Sequence, residues 1–209
     1  MSAAAGSAAA AAPPAAKPLD AKGIWPGDIL ISDEAVLVSH SAVCVEDDKI
    51  AHAMGGVPLL GSLLDFEKGK GTVYRANPNL TYPDTANLWR VCQALAPKMK
   101  FGTNYATLVF GSAEYGAGAA AWKASMQEMY INGVFATKSD QGKPANLVCS
   151  QFVVLAMQIA LGEKHVSFIK LDGRYTLPKT LRSYLVGAGS GWRAVGPYNR
   201  GVFQYGVPT

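Results

Sequence analysis

Three side chains in this sequence have the chemistry of a thiol catalyst: Cys149, His40 and His52. A thiolate attacks carbonyl carbon, an imidazole takes a proton near neutral pH, and a second polar group bonded to that imidazole fixes its tautomer. Cys149 opens an almost wholly apolar run that reaches Leu161 and stops at Gly162. That run reads as a buried helix over Val148 to Leu161, closed by a glycine cap. A cysteine at a helix N-terminus gains from unpaired amides and from the macrodipole, both of which favour the thiolate, and Asn146 stands where a capping side chain would. The same amides suit an oxyanion hole.

The histidines lie near a strand pair. Ser41 to Val45 and Lys49 to Ala53 are apolar stretches separated by Glu46-Asp47-Asp48, the pattern of a β-hairpin. If the turn centres on Glu46, His40 and His52 become directly opposed, with Cβ atoms about 4.5–5.5 Å apart on one face. A shift of one residue would send them to opposite faces. The expected site places the His40 face of the hairpin against the start of the Cys149 helix, so that His40 is the base and His52 its orienter.

Each residue also has a plainer reading. Free cysteine is among the most buried residue types, so Cys149 alone reads as a core thiol, as Cys44 and Cys92 do from their strand and helix spacing. His40 alone reads as a strand-end histidine bonded to backbone, His52 as its packing partner, and His165 as a loop residue after the Gly162 cap. His40, His52 and Cys149 together also present three zinc ligands with a fourth to be found, which makes a non-enzymatic metal site an alternative.

These residues must be carried by one domain. The 209 residues are 49% hydrophobic and 16% charged, with no apolar run long enough to span a bilayer. The net charge is +4 without any block of basic residues, so nucleic acid is not expected as a partner and a stable membrane insertion is not either. Three cysteines without CxxC spacing suggest neither a disulfide framework nor a four-ligand zinc site, and leave at least one thiol free. Residues 1–22 are mostly alanine interrupted by Pro13, Pro14 and Pro18, and read as a disordered tail without the basic and apolar regions of a secretory signal. The expected location is cytoplasmic, or outside the cell by a route that needs no signal peptide. The domain, 23–209, opens at Trp25-Pro26-Gly27-Asp28, a turn leading into Ile29-Leu30-Ile31. Ala35 to Val38 and Thr72 to Arg75 read as further strands. Ala86 to Leu95, Asn104 to Tyr115 and Ala119 to Ile131 have helical spacing. A short helix is expected from Leu177-Pro178, and closing strands at Trp192 to Val195 and Val202 to Tyr205. The fold class is α+β, an antiparallel sheet packed against a helical layer with the Cys149 helix central.

In order, Pro26-Gly27-Asp28-Ile29-Leu30, Ser39-His40-Ser41-Ala42-Val43, Lys49-Ile50-Ala51-His52-Ala53 and Asn146-Leu147-Val148-Cys149-Ser150-Gln151-Phe152-Val153 resemble the circularly permuted NlpC/P60 (papain-like) superfamily. The resemblance covers roughly Gly23 to Leu185, and takes in the YiiX/YaeF-like amidases and the lecithin:retinol acyltransferase-like enzymes. It implies a permuted papain-like fold with Cys149 as nucleophile, His40 as base and His52 as third polar residue. Tyr105 and Ser150 would line the substrate cleft, and no cofactor would be needed. The implied activity is a cysteine peptidase or amidase that passes through a thioester. Its substrate would be a peptide, a peptidoglycan stem peptide or an acyl-bearing molecule, with an inhibitor or immunity protein as an unidentified partner. Lipid acyl transfer or ester cleavage by the same triad is the alternative. Acyltransferase-like members read Asn-Cys-Glu-His at the nucleophile where this chain has Val148-Cys149-Ser150-Gln151, which favours the amidase side.

Overall fold

The computed structural model describes residues 17–33, 39–54, 57–63, 66, 69–98, 100–101, 111–133 and 146–199. Eight strands and four α-helices follow one another among them. The strands are β1 (Ile29–Ser32), β2 (Ser41–Glu46), β3 (Lys49–Met54), β4 (Val57–Ser62), β5 (Lys70–Ala76), the short β6 (Lys100–Phe101) and β7 (Asn146–Leu147), and β8 (Trp192–Asn199). The helices are α1 (Tyr82–Leu95), α2 (Ala117–Met126), α3 (Cys149–Leu161) and α4 (Pro178–Leu185). Six strands form one sheet in the order β4-β3-β2-β1-β5-β8, antiparallel at every pairing, and β6 and β7 pair in parallel beside it. The class is α+β, as the sequence pattern indicates.

Alternation along the strands divides the sheet into two faces. Ile29, Ile31, Val43, Val45, Ala51, Ala53, Tyr74 and Ala76 point to the helical layer and share a core with α1, α3 and α4. Leu30, Ala42, Cys44, Ile50 and Val73 point the other way, into a smaller cluster closed by Ile24, Leu63, Phe66 and Tyr198. A sheet buried on both faces explains why its inner strands read as continuous apolar runs rather than alternating ones. Helix α3 lies at the centre of the larger core, with every residue from Cys149 to Ala160 buried. Each large apolar side chain along it contributes roughly 1.5–3 kcal/mol by leaving water. Its C-cap is Gly162 at φ 73°, in the left-handed region that a side chain would strain.

The opening turn is held by a buried ion pair. Asp28, 1% exposed, accepts from Arg75 Nε at 2.8 Å and Nη2 at 2.6 Å and from the Trp25 amide at 2.8 Å. The guanidinium also donates to the Gly23 carbonyl and lies 3.8 Å over the Trp25 ring. These contacts tie the start of β1 to β5.

Several expectations are corrected. Residues 17–22 are not part of a free tail: Leu19 bridges the outer edge of β8, its amide donating to the Pro197 carbonyl at 2.8 Å, and so covers an edge that would otherwise be open. Strand β4 has no counterpart in the sequence reading, because Pro58 and Gly61 argue against a strand; both are tolerated at an edge, where β4 lies. Of the helix expected over Asn104 to Tyr115, residues 111–115 are extended, with Glu114 bridging Leu171; residues 104–110 lie outside the described residues, as do Ala35 to Val38 and Val202 to Tyr205. The expected helix from Ala119 begins at Ala117 and its last turn, Gln127–Ile131, is a π-helix. No described helix is long and apolar enough to cross a membrane.

Candidate functional site

The β2–β3 hairpin brings the two imidazoles together, though not in the expected register. Its turn is Asp47-Asp48, with Asp48 at φ 59°, and an irregularity between Cys44 and Glu46 shifts the pairing so that His52 opposes Ala42. His40 therefore lies diagonal to His52, two residues further along. An even displacement keeps both on one face, and a diagonal neighbour is within reach of an aromatic side chain. His40 Nε2 and His52 Nδ1 are 2.9 Å apart and the ring centroids 5.1 Å, at an interplanar angle of 75°. His40 is itself held at the mouth of the sheet: its amide donates to Ser32 Oγ at 2.7 Å and its carbonyl accepts from the Ser32 amide at 2.9 Å. Phe66 stacks on His40 at 5.4 Å and meets His52 edge-on at 6.1 Å. Both imidazoles are buried, at 5% and 2% exposure.

The atoms used in this contact constrain the chemistry. A hydrogen bond between two neutral imidazoles needs one donor and one acceptor. If His40 Nε2 carries the proton, His52 Nδ1 accepts it and His40 Nδ1 is the ring nitrogen without a proton. That is the tautomer a general base requires, and His52 is placed to hold it.

Cys149 is the first residue of α3. The cap is Val148, not Asn146, which lies in β7; the Gln151 carboxamide reaches back to accept from the Val148 amide at 2.9 Å. Gln151 and Ser150 pin this helix end to the 172–177 segment, Gln151 donating to the Arg174 carbonyl and Ser150 to the Thr176 carbonyl at 2.7 Å. Ser150 has no exposed surface, and its hydroxyl is engaged by that segment. Tyr105 lies outside the described residues.

Strand parity decides what Cys149 meets. Its thiol faces Ser41, the residue after His40, because odd-numbered β2 residues point to the helical layer. The imidazoles of His40 and His52 pack with Phe66 on the face of Ala42 and Cys44, away from α3. The expected contact between the His40 face and the α3 N-terminus is thus replaced by one through Ser41. Sequence reasoning passed over Ser41, although it is the one hydroxyl in the otherwise apolar alternate set Ser41, Val43 and Val45. It also passed over Phe66, which backs the histidines.

Electrostatics follow from burial. Cys149 is 5% exposed, and loss of water pushes its thiol above the ordinary range; the Ser41 hydroxyl and main chain and the amides of Ser150 and Cys149 pull in the other direction without overcoming it. The lowered value expected from the helix terminus alone is therefore not reached, because desolvation outweighs the dipole and amides. Burial pushes Cys44 up to about 12, and drives the fully enclosed Cys92 thiol upward as well. Among the described residues no group of three or more His, Cys, Asp or Glu side chains could hold a metal ion, so the zinc alternative lacks a ligand set there. His165 is a loop residue, its Nδ1 accepting from the Ser167 amide at 3.1 Å.

No protein-family model matches the chain, and neither does any curated protein or solved structure.

Proposed function

We propose that this protein is a cysteine hydrolase that cleaves an amide or peptide bond, with Cys149 as nucleophile, His40 as base and His52 as its orienter. The observation that carries the reading is the 2.9 Å contact from His40 Nε2 to His52 Nδ1, which pairs the base with an orienting imidazole one residue from the Ser41 contact of the thiol. Cys149 Sγ would attack the carbonyl carbon as its proton passes to His40. The amides at the start of α3 would hold the oxyanion, and the amine would leave with the proton from His40. Water then hydrolyses the thioester and regenerates the thiol. The fold this implies is the permuted papain-like one, and the YiiX/YaeF-like and lecithin:retinol acyltransferase-like resemblance suggests a peptidoglycan stem peptide among amide substrates.

The reading carries a structural requirement. The imidazole lies on one face of β2 and the thiol packs against the other, so His40 must turn at the start of that strand for the proton to pass. The described arrangement is then a resting one, with a protonated nucleophile. The burial of Cys149 favours a second reading, in which the thiol is a core residue and the histidine pair structural.

The two are separated by incubating the full chain with muropeptides in one arm and phospholipid vesicles in another, and measuring intact mass and released product. An acyl adduct on Cys149 with amine release supports the amidase. An adduct from phospholipid alone assigns the same thiol to lipid acyl transfer. Product formation that survives Cys149→Ala, or no adduct in either arm, supports the structural reading.

A further inference from the structure

Ser41 is fully buried, and its hydroxyl has no hydrogen-bond partner among the described residues. Buried hydroxyls are rarely left so, since an unmet one carries its desolvation cost and alanine would fill the same strand position without it. Register accounts for where the group points. Ser41 pairs with Ile31 of β1, and the Ile31 side chain is in the helical-layer core, so the Ser41 side chain is aimed at the same layer. The α3 group it meets there is Cys149.

Resting on the proposal that Cys149 is the nucleophile, we infer that Ser41 is its positioning residue, donating its hydroxyl to the ionised sulfur and holding it at the first turn of α3. While the sulfur is protonated no hydrogen bond is formed, and the Ser41 hydroxyl stands without a partner among the described residues. Once the proton has gone to the base, Ser41 becomes the donor to a full negative charge, together with the amides of Ser150 and Cys149. The Ser41 proton itself is never transferred.

The test is the titration of Cys149 in the full chain, read from the isotope-labelled cysteine β-carbon by NMR and assigned by its absence in Cys149→Ala. Ser41→Ala removes the donor and leaves the backbone, and the Cys149 midpoint is expected to rise by about one pH unit. Ser41→Cys is the near-isosteric second variant, with a weaker donor, expected to move the midpoint in the same direction by less. It carries the test if Ser41→Ala fails to fold. A midpoint unchanged in the folded variants overturns the inference, because a side chain that merely fills space would not move it. A shifted midpoint in a protein whose turnover does not need Cys149 leaves Ser41 as the thiol's partner and removes the hydrolase reading instead. Turnover dependent on Cys149 with an unshifted midpoint removes only Ser41.

Discussion

The bond between His40 and His52 has a thermodynamic signature that needs no substrate. His52→Phe removes the partner of His40 Nε2 at a position 2% exposed, and the new ring has Phe66 to pack against. His40→Phe removes the partner of His52 Nδ1 at a position 5% exposed. Each single change leaves one buried polar atom without this partner, at a cost of about 1–3 kcal/mol. The double change removes both ends of the bond together. It is therefore expected to cost less than the two singles together, with a coupling energy of about 1–2 kcal/mol. Urea unfolding of the four proteins in a mildly alkaline buffer, above the ordinary imidazole range, gives the cycle directly. The reasoning is refuted if the two single costs add to the double within about 0.5 kcal/mol, the limit for independent sites.

Other consequences are as open to measurement. Cys44 is held protonated up to about 12 by its burial, whereas the unfolded chain ionises it in the ordinary thiol range around 9.0. A raised acid contributes stability that is intact below the unfolded value and is lost as pH climbs toward the folded one. One pH unit above the ordinary value the loss is about 1.4 kcal/mol, and in Cys44→Ala the alkaline fall in unfolding free energy, read by urea titration, should shrink by that amount. An identical fall in both proteins would show the thiol ionising within the fold. Arg75→Met leaves the Asp28 carboxylate buried against the Trp25 amide without its cation, and should cost about 3–5 kcal/mol, with partial recovery when Asp28→Asn is added; a surface-like cost below about 1 kcal/mol would contradict the geometry. A Cβ at Gly71 would fall on the Ile31 carbonyl oxygen and on the Tyr198 ring, so Gly71→Ala should lower the melting temperature far more than Gly69→Ala, where nothing lies within 4 Å.

Much of this architecture is legible in the residues because local signals agree with the packing. Pro178 and Gly162 mark a helix start and a helix end, the apolar run after Cys149 marks the buried helix, and the two acidic residues of the hairpin turn mark the link between the histidine strands. What was not legible came from contacts distant in sequence or from a single extra residue. The turn falls at Asp47-Asp48 and not at Glu46, and the irregularity near Cys44 then moves the partner of His52 from Val43 to Ala42; nothing in an apolar strand pattern announces such a shift. Which face of β2 the helices would cover was equally hidden, since both faces are buried and both read as apolar; that choice put Ser41, not His40, beside Cys149. The edge strand β4 was hidden because Pro58 and Gly61 are penalised by propensity and permitted by position. The Leu19 bridge depends on β8, far along the chain, and had no local cue.

The central claim is that Cys149 acts as a nucleophile served by His40, and acylation by a small activated ester tests it most directly. Wild type, His40→Ala and Cys149→Ala are mixed with the ester, and intact mass with peptide mapping follows where the acyl group goes and how fast. The expected result is one acyl group on Cys149, absent in Cys149→Ala and formed at least about a hundredfold more slowly in His40→Ala, the span general-base assistance supplies. Acylation of Cys149 at the same rate without His40, or an unmodified Cys149 in a protein acylated elsewhere, would contradict the account.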